Sequence, residues 1–556
     1  MKRYKLSRYI AVAFLTGLLV LPAVTGVAQK SHDNAVNRNL SIFNSIVKEL
    51  EMSYVDTIRT DETFKQAIAT MLMQVDPYTE YYTPEDQKGF ATMTTGEYGG
   101  IGSYIMECDG WTYISGPYEN SPAAKIGLKS GDKIVRIDTV DLKGKKSDEV
   151  SAMLKGRPGT IVTVTVERPY SKDSVLTFEI ERKKLQLPSV SYYGIVNGST
   201  GYICLTSFME RSADEVRQAL EEFKSNPEVK NIILDLRGNG GGLLESAVEI
   251  VGFFVPKGTE VLRTRGKSKI SEKIYKTTKK PIMPDIPLAI LIDGASASAS
   301  EITAGAMQDL DRAVLIGTRS FGKGLVQSTR PLPYDGLLKV TVAKYYIPSG
   351  RLIQALDYSH RNPDGSVART PDSLTNTYKT AHGRIVRDGG GLVPDITVDW
   401  GKINRLVYNI VRDHWSFDFA TKYVAENPQI GSPHDFEITD EIYGQFKKFI
   451  DPDKFKYDKT CEELVKQLRE VAEAEGYMNE ETKQQLDTLS KLLTHNLDKD
   501  LDTHRKQISS YLLSDILSRY FYAKGEVIAD LRDDVAVDSA VNILSDPMRM
   551  KKILNR

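Results

Sequence analysis

The sequence predicts a mixed α/β protein built from several domains. At 556 residues, the chain is long enough for about three or four domains, each with its own hydrophobic core. Residues 200–400 alternate short apolar strands, loops and amphipathic helices, which is typical of a sheet layered with helices. Residues 97–185 are rich in strand patterns, and helical periodicity is present at both ends of the chain. We therefore expect a layered core, a small β-rich module and flanking helical regions.

The composition excludes several classes of function. Lys and Arg total 73 against 74 for Asp and Glu, so the net charge of −1 provides no field that would attract nucleic acid. Three scattered cysteines, Cys108, Cys204 and Cys461, are too few for a disulfide framework. The seven histidines are dispersed and lack zinc-ligand spacing. We expect no metal, no cofactor and no nucleic-acid partner.

The amino-terminal segment has the pattern of a secretory signal peptide. An apolar run over residues 10–20 is followed by the small residues of the sequence Gly26-Val27-Ala28. Four basic residues precede the run: Lys2, Arg3, Lys5 and Arg8. We expect residues 1–28 to be a signal peptide cleaved after Ala28, and the protein to be exported to the periplasm or cell envelope. An uncleaved membrane anchor is the alternative, although the run is short for a membrane span.

Helical periodicity marks both ends of the remaining chain. In residues 29–95, an amino-terminal helical region is indicated by apolar side chains at Ile42, Ile46, Val47 and Leu50. Residues 401–556 are charged and also have helical spacing, without recognisable chemistry. We expect this carboxyl-terminal helical region to serve packing or assembly.

Residues 96–185 form the predicted β-rich module. Residues 134–137 and 161–166 alternate as half-buried strands do, and residues 147–154 between them have a helical pattern. A glycine loop precedes them: Tyr98, Gly99, Gly100, Ile101 and Gly102. With the later run SPAAKIGLKSGDKIVRID, this segment resembles a PDZ domain. The N–H groups of such a loop can hold a peptide's carboxyl terminus while the peptide adds as a strand. The alternative is a β module without a ligand.

Two strand ends in residues 186–400 carry the candidate chemistry. Residues 232–236 form a buried strand pattern that ends in the glycine loop Arg237-Gly238-Asn239-Gly240-Gly241-Gly242. Residues 288–292 form the next strand and lead directly to the segment Ser296-Ala297-Ser298-Ala299-Ser300-Glu301. Functional groups of layered α/β proteins lie in loops at strand ends. The sequence Ser212-Ala213-Asp214-Glu215 predicts a helix capping box between these strands.

Ser298 and Lys323 together suggest nucleophilic catalysis. Small residues around Ser298 place it at a predicted helix amino terminus, where unpaired N–H groups can receive an oxyanion. Lys323 follows 25 positions later between two glycines. A lysine has a free pKa of about 10.4, but burial can lower that value enough for it to act as a base. Taken alone, the two segments also fit a tightly packed helix and a surface turn.

The ordered motifs identify a family resemblance. They are DPYTEYYTPED, the PDZ-like module, LDLRGNGGG, GASASASEITAGAMQD, GTRSFGKGLVQ, YYIPSGRLIQ and GGGLVPDITV. Over about residues 40–400 the chain is similar to the carboxyl-terminal processing peptidases, also called tail-specific proteases. The resemblance implies a catalytic core, residues 186–400, that is distantly like the crotonase and caseinolytic-protease folds and carries an embedded PDZ domain. Residues 357–384 form a polar insertion that departs from the family pattern.

The resemblance also assigns roles to residues. It implies Ser298 as nucleophile, Lys323 as general base and Gln327 as the residue that orients the lysine. It places the oxyanion hole at the N–H groups of Ala299 and Gly241. Asp309 is expected to give structural support.

The predicted function is therefore that of an exported serine endopeptidase. Its PDZ domain would bind apolar or disordered carboxyl termini of substrate proteins. The resemblance also implies an adaptor or lipoprotein as a partner, and a homodimer. A non-catalytic peptide-binding protein on the same fold is the alternative. A chymotrypsin-type PDZ protease requires a Gly-[Asn/Asp]-Ser-Gly-Gly motif, which this sequence lacks.

Overall fold

The computed structural model describes residues 34–268 and 271–556. The predicted signal peptide, residues 1–28, lies outside the described residues. The described residues divide into two compact units, one ending at residue 81 and the other beginning at residue 82. Within the described ranges, we find no helix whose length and apolar content would suit a membrane span.

The first unit contains a pair of helices. Residues 34–53 form α1 and Thr60–Met73 form α2, as the spacing of apolar residues predicts. The rings of Phe43 and Phe64 pack edge to face with centroids 6.0 Å apart, so the two helices contact each other through apolar side chains. The short strand β1, Glu80–Tyr82, follows.

The β-rich module is an antiparallel sheet with three short helices. Its elements are α3 (Gln87–Thr95), β2 (Glu97–Gly100), β3 (Ser103–Cys108), β4 (Trp111–Pro117), α4 (Pro122–Ile126), β5 (Lys133–Ile137), β6 (Val140–Asp141), α5 (Ser147–Leu154), β7 (Ile161–Glu167), β8 (Val175–Glu181) and β9 (Lys183–Gln186). The strand order is β3-β4-β5-β7-β8, with β6 beside β5, and β2 pairs separately with β9. Strand β3 therefore forms one edge of the sheet.

The predicted core, residues 186–400, is built around a six-stranded sheet. Its elements, with those of the insertion, are β10 (Val190–Val196), β11 (Thr200–Leu205), α6 (Ser212–Ser225), β12 (Asn231–Asp235), α7 (Leu244–Val251), β13 (Glu260–Gly266), β14 (Lys273–Lys276), β15 (Leu288–Ile292), α8 (Ala299–Asp309), β16 (Val314–Gly317), β17 (Leu325–Pro331), β18 (Leu337–Tyr346), β19 (Leu356–Arg361), β20 (Val367–Arg369), β21 (Thr377–Lys379), β22 (Ile385–Arg387) and β23 (Ile396–Thr397). The order is β10-β11-β12-β15-β16-β23. Only the β10–β11 pair is antiparallel among these pairings. In a second sheet, β18 pairs with β17 and β13, and β13 pairs with β14.

The rest of the chain is helical. The helices are α9 (Arg405–Arg412), α10 (Trp415–Glu426), α11 (Asp440–Phe449), α12 (Thr460–Ala474), α13 (Glu480–Leu493), α14 (Leu497–Thr503), α15 (Arg505–Asp530), α16 (Val535–Leu544) and α17 (Pro547–Ile553). Most of them pack around a separate apolar cluster that includes Phe419 and Phe446.

Helices cover both faces of the six-stranded sheet. On one face, side chains of α6, α7 and α8 pack against alternate strand residues such as Ile232 and Ile290. On the other face, Ile233 and Leu291 pack against α16 and α17. Successive side chains of a strand point to opposite faces, which explains this alternation. The last two helices therefore complete the core, in addition to belonging to the predicted helical region.

The predicted capping box at Ser212 is wrong. Helix α6 begins at Ser212, but the Glu215 carboxylate accepts the N–H groups of Ser189 and Val190, at 2.8 and 2.9 Å, and does not reach back to Ser212. The Ser212 hydroxyl lies 2.5 Å from the Ser189 hydroxyl. Both side chains are engaged by the strand entering the core, so tertiary contacts replace the local cap.

Candidate active site

Ser298 lies at the amino terminus of α8 in a strained conformation. Strand β15 delivers the chain to this segment, and Ser298 is the residue that caps α8. Its φ of 56° and ψ of −113° fall in a region that residues other than glycine rarely adopt. Such a conformation costs about 1–3 kcal/mol and persists only where the surroundings enforce it. The side chain is half-buried and lines a cavity.

The two neighbouring serines are committed to structural hydrogen bonds. Ser296 and Ser300 are both fully buried. The Ser296 hydroxyl donates to the carbonyl of Leu236 at 2.8 Å, and the Ser300 hydroxyl donates to the carbonyl of Asn239 at 2.8 Å. Of the three serines, it is Ser298 that lines the cavity.

The buried carboxylate of Glu301 joins the serine segment to the lysine loop. Its Oε2 accepts the N–H of Ser298 at 2.9 Å and the N–H of Lys323 at 2.8 Å. Its Oε1 accepts the N–H of Gly322 at 2.7 Å and the hydroxyl of Ser320 at 2.5 Å. Burial raises the pKa of Glu301, while these four donors favour its charged form. Lys323 itself is half-buried.

Tyr345 makes a second connection between the same two segments. Its hydroxyl lies 3.2 Å from the carbonyl oxygen of Ser298 and 2.8 Å from that of Lys323. Burial raises the pKa of Tyr345 well above its ordinary value, so the hydroxyl remains a donor at neutral pH. The main chains of Ser298 and Lys323 are therefore fixed by two shared partners.

The glycine loop packs directly against Ser298. At Gly241, where φ is 99°, an added Cβ would lie 2.8 Å from both the Ser298 Cβ and the Ala299 nitrogen. The Gly241 N–H donates to Oδ1 of Asn239 at 2.9 Å. The prediction of Gly241 as an oxyanion donor does not fit this geometry, because its N–H is already used. Within the described residues, the N–H groups of Ala299 and Gly242 make no hydrogen bond, and Gly242 lines the cavity.

Two further polar residues position the loops on either side of Ser298. Asn239 is fully buried and donates from Nδ2 to the Leu205 carbonyl at 2.7 Å, and its own carbonyl accepts the N–H of Ala297 at 3.1 Å. Asp293 accepts the N–H of Gly238 at 3.1 Å. It also accepts the N–H of Ser296 at 2.9 Å.

The cavity beside Ser298 has a volume of about 620 Å³. The predicted orienting residue Gln327 lies on β17 in its wall and donates from Nε2 to Oγ1 of Thr341 at 3.1 Å. Apolar side chains in the wall include Phe208, Leu243, Ile302, Leu325 and Tyr345. A cleft of this kind can accept an extended peptide with apolar side chains near the serine.

Asp309 lies at the other end of α8 from Ser298. Its Oδ2 accepts the N–H of Ser349 at 2.9 Å, and its Oδ1 is 2.8 Å from the Arg351 guanidinium. At 1.5 Å per residue, the ten steps from Ala299 put it roughly 15 Å away from the serine. This position suits the structural support predicted for it.

A second cavity lies in the β-rich module between β3 and α5. It has a volume of about 250 Å³ and includes Tyr98, Ile101, Leu154 and Lys155 in its wall. Gly99 and Gly100 belong to β2, which pairs with β9. Among described residues, no acceptor receives the N–H of Ile101 or of Gly102. Of these two residues, Ile101 lines the cavity, so its N–H is a candidate donor to a ligand there.

Within residues 34–268 and 271–556, the structure contains no group of three or more His, Cys, Asp or Glu side chains suited to a metal ion. The site is formed by serine, lysine, tyrosine, carboxylate, amide and main-chain groups.

Comparison with known proteins identifies the family. The model of Peptidase family S41 matches residues 199–364, and a PDZ-domain model matches residues 113–168. A carboxy-terminal-processing protease of Bartonella bacilliformis is 34% identical over 355 residues, which cover 63% of this chain and 80% of that protein. The chain belongs to the carboxyl-terminal processing peptidase family.

Two further sequence similarities agree with this membership. A model described as the C-terminal helical domain of probable PDZ-proteases matches residues 406–544 of this peptidase. A probable CtpA-like serine protease of Staphylococcus aureus is 33% identical, covering 63% of this chain and 72% of that protein. A solved photosystem II D1 C-terminal processing protease is 26% identical and covers 64% of this chain and 86% of its own, with a TM-score of 0.36.

The predicted family and fold class are confirmed. This carboxyl-terminal processing peptidase is a mixed α/β multidomain protein with an S41 peptidase core, a PDZ domain and a carboxyl-terminal helical domain. It is a protease of a serine peptidase family. Local spacing in the sequence does not identify Glu301, Asp293 or Tyr345 as site residues, although Glu301 lies in the serine motif itself.

Proposed function

We propose that this peptidase hydrolyses peptide bonds with a dyad of Ser298 and Lys323. The observation that carries the proposal is that Glu301 anchors both residues. Its Oε2 accepts the main-chain N–H of Ser298 at 2.9 Å and that of Lys323 at 2.8 Å. A dyad needs its hydroxyl and amine within hydrogen-bond reach, and fixing both main chains to one oxygen limits how far they can separate.

The reaction follows from the chemistry of these groups. Neutral Lys323 takes the proton of the Ser298 hydroxyl as the serine oxygen attacks the peptide carbonyl. The N–H groups of Ala299 and Gly242 stabilise the oxyanion, and the protonated lysine then gives its proton to the leaving amine. Lys323 next takes a proton from water, whose oxygen attacks the acyl-enzyme, and returns that proton to the Ser298 oxygen as the shortened product leaves. Gln327 is proposed to orient the lysine.

The test of the dyad compares Ser298→Ala and Lys323→Arg with the mature enzyme on a peptide substrate. We expect both variants to lose at least about 10³-fold in kcat, because one lacks the nucleophile and the other keeps its proton. Ser225→Ala, at an exposed helix end, and Lys344→Arg, at an exposed position of β18, are the matched controls. Equal turnover by Ser298→Ala would remove the serine mechanism and leave a binding protein on this fold. Retained turnover by Lys323→Arg would require another base.

The pH profile gives a second test of the lysine. Because Lys323 must be neutral to accept a proton, kcat/KM should rise with pH and persist in alkaline solution. A profile that falls above neutral pH would exclude this base.

We further propose that the PDZ domain captures the carboxyl-terminal tails of substrate proteins. Strand β3 is a sheet edge next to the cavity, so a tail can add to it as a further strand. The apolar wall residues Ile101, Ile105 and Leu154 favour apolar tails. Peptides with a free carboxylate should bind the full chain more tightly than the same peptides with an amidated end, as measured by fluorescence anisotropy with Ser298→Ala. Equal affinity would exclude carboxylate recognition.

We also propose that the protein is exported to the periplasm or cell envelope. It is supported by the basic, apolar and small-residue order of residues 1–28. Sequencing the mature amino terminus should show cleavage after Ala28. Retention of residues 1–28 in the membrane fraction would indicate the anchored form instead.

A further inference from the structure

The first residue of the glycine loop contacts the carboxyl-terminal helical region. The Arg237 guanidinium lies 2.6 Å from Oδ2 of Asp534 and 2.5 Å from Oδ2 of Asp235. The side chains of Arg237, Asp534 and Asp235 are only 20%, 9% and 4% exposed, so the ion pairs are largely shielded from solvent. Charge-assisted hydrogen bonds in such surroundings are stronger and more directional than those at the surface.

Asp534 also makes hydrogen bonds that fix its own position. It caps α16, where Oδ1 accepts the N–H of Ala536 at 2.9 Å and the N–H of Val537 at 3.2 Å. Helix α16 in turn packs against the sheet through Ala540 and Ile543, which are fully buried. One carboxylate oxygen therefore caps a packed helix while the other holds Arg237.

The contacts continue from Arg237 to the reacting groups. The next residue, Gly238, donates its N–H to Asp293, which also fixes the main chain of Ser296. Further along the same loop, Gly241 packs against Ser298, and Gly242 follows. A shift of Arg237 would therefore move the loop that lies beside the nucleophile.

We infer that Asp534 is a positioning residue for the peptidase reaction, because through Arg237 it holds the glycine loop in register with Ser298. This inference rests on the proposed dyad and its oxyanion donors. A displacement of about 1 Å in a catalytic group can cost about 10²-fold in rate. The carboxyl-terminal helical domain would thus support catalysis through Arg237, besides packing.

Asp534→Asn separates the two roles of this residue. Asparagine caps helices as well as aspartate does, so the bonds at Oδ1 are retained, while Arg237 loses the charge of one of its two carboxylate partners and keeps Asp235. Asp546→Asn is the matched control, because Asp546 caps α17 through the N–H groups of Met548 and Arg549. We expect kcat to fall about 10- to 100-fold in Asp534→Asn, with KM changed less than twofold, and no change in the control.

Three further measurements exclude a purely structural effect. The affinity of Asp534→Asn for a peptidyl aldehyde, whose tetrahedral adduct needs the oxyanion donors, should fall in parallel with kcat. In an Arg237→Gln background, adding Asp534→Asn should cost less than twofold, because the contact has already been removed. Asp534→Glu, which keeps the charge, should recover part of the lost kcat.

The outcomes also separate this inference from the dyad. Asp534→Asn with the kcat of Asp546→Asn, or a loss that persists in full in the Arg237→Gln background, would overturn the positioning role. If that happens while Ser298→Ala is inactive, the dyad stands and only the positioning role fails. If Ser298→Ala is active, the dyad fails first, and the positioning role fails with it.

Discussion

The main-chain N–H groups of Ser298 and Lys323 donate to one and the same oxygen, Oε2 of Glu301. With contact distances of 2.9 and 2.8 Å, the two nitrogens are at most roughly 6 Å apart. The residues are separated by 25 positions in the chain, and a single buried carboxylate holds their backbones together.

Glu301→Gln should therefore disrupt the site. One carboxylate oxygen becomes an NH₂ group that faces N–H donors, and leaving buried donors unpaired costs about 1–3 kcal/mol. We expect the free energy of unfolding to fall by about that amount and kcat/KM to fall by at least about 10²-fold, measured by urea unfolding and peptide hydrolysis. Glu221→Gln, exposed on α6, should change neither quantity. Wild-type turnover in Glu301→Gln would contradict the anchoring role.

Ser298→Gly and Ser298→Ala should differ in stability although both are inactive. Glycine adopts the φ of 56° without strain, which relieves about 1–3 kcal/mol, but it costs about 0.5–1 kcal/mol of unfolded-chain entropy. We expect the glycine variant to be more stable than the alanine variant by about 1 kcal/mol in urea unfolding. If alanine were the more stable, the strain at this position would be disproved.

Lys155→Ala should weaken the binding of tails that end in a free carboxylate. Lys155 is exposed, lines the PDZ cavity and lies with its ammonium 5.8 Å from the centre of the Tyr98 ring. An exposed charge pair contributes up to about 1 kcal/mol, so we expect a loss of about two- to fivefold in affinity. Binding of an amidated tail should be unchanged, and Lys172→Ala, in the loop between β7 and β8, should behave as wild type. An equal loss for both tails would point to packing instead of charge.

Asp530→Asn should stabilise the protein at alkaline pH. Burial, followed by the Glu526 carboxylate, raises the pKa of Asp530 from 3.8 to about 6, although Ser514 and Arg237 oppose this and Asp534 adds to it. Because the folded state binds the proton more tightly, the stability from this group is present below about pH 4 and is lost as pH rises through 6. We expect the variant to gain at most about 1 kcal/mol at pH 8, since the side chain is partly open to solvent, and nothing at pH 4. Thermal unfolding at both pH values checks this; a gain of equal size at pH 4 would contradict it.

Local patterns in the sequence predict much of the fold. The apolar run at Leu288–Ile292 forms a strand with those bounds, and the helical pattern over residues 147–154 forms α5. Both depend on periodicity within a few residues, which sequence makes visible. The family motifs are also short contiguous stretches, so they point to Ser298 and Lys323 from sequence alone.

The sequence does not reveal contacts between residues that are distant in the chain. The sequence predicts that Glu215 caps its own helix, but its carboxylate accepts the N–H of Val190, where β10 begins. Gly241 and Gly242 are alike in sequence, and only the side chain of Asn239 decides which N–H is already used. The contact of Arg237 with Asp534 joins residues 297 positions apart, a separation that no local pattern can encode.

Because α16 and α17 cover one face of the six-stranded sheet, the peptidase core is not a continuous stretch of chain. A ribosome makes the strands long before these helices, so the newly made polypeptide carries an uncovered apolar surface for the whole time that residues 401–534 are synthesised. During this interval a chaperone has an apolar surface to bind. A recombinant fragment that stops at residue 400 would keep that surface bare and aggregate.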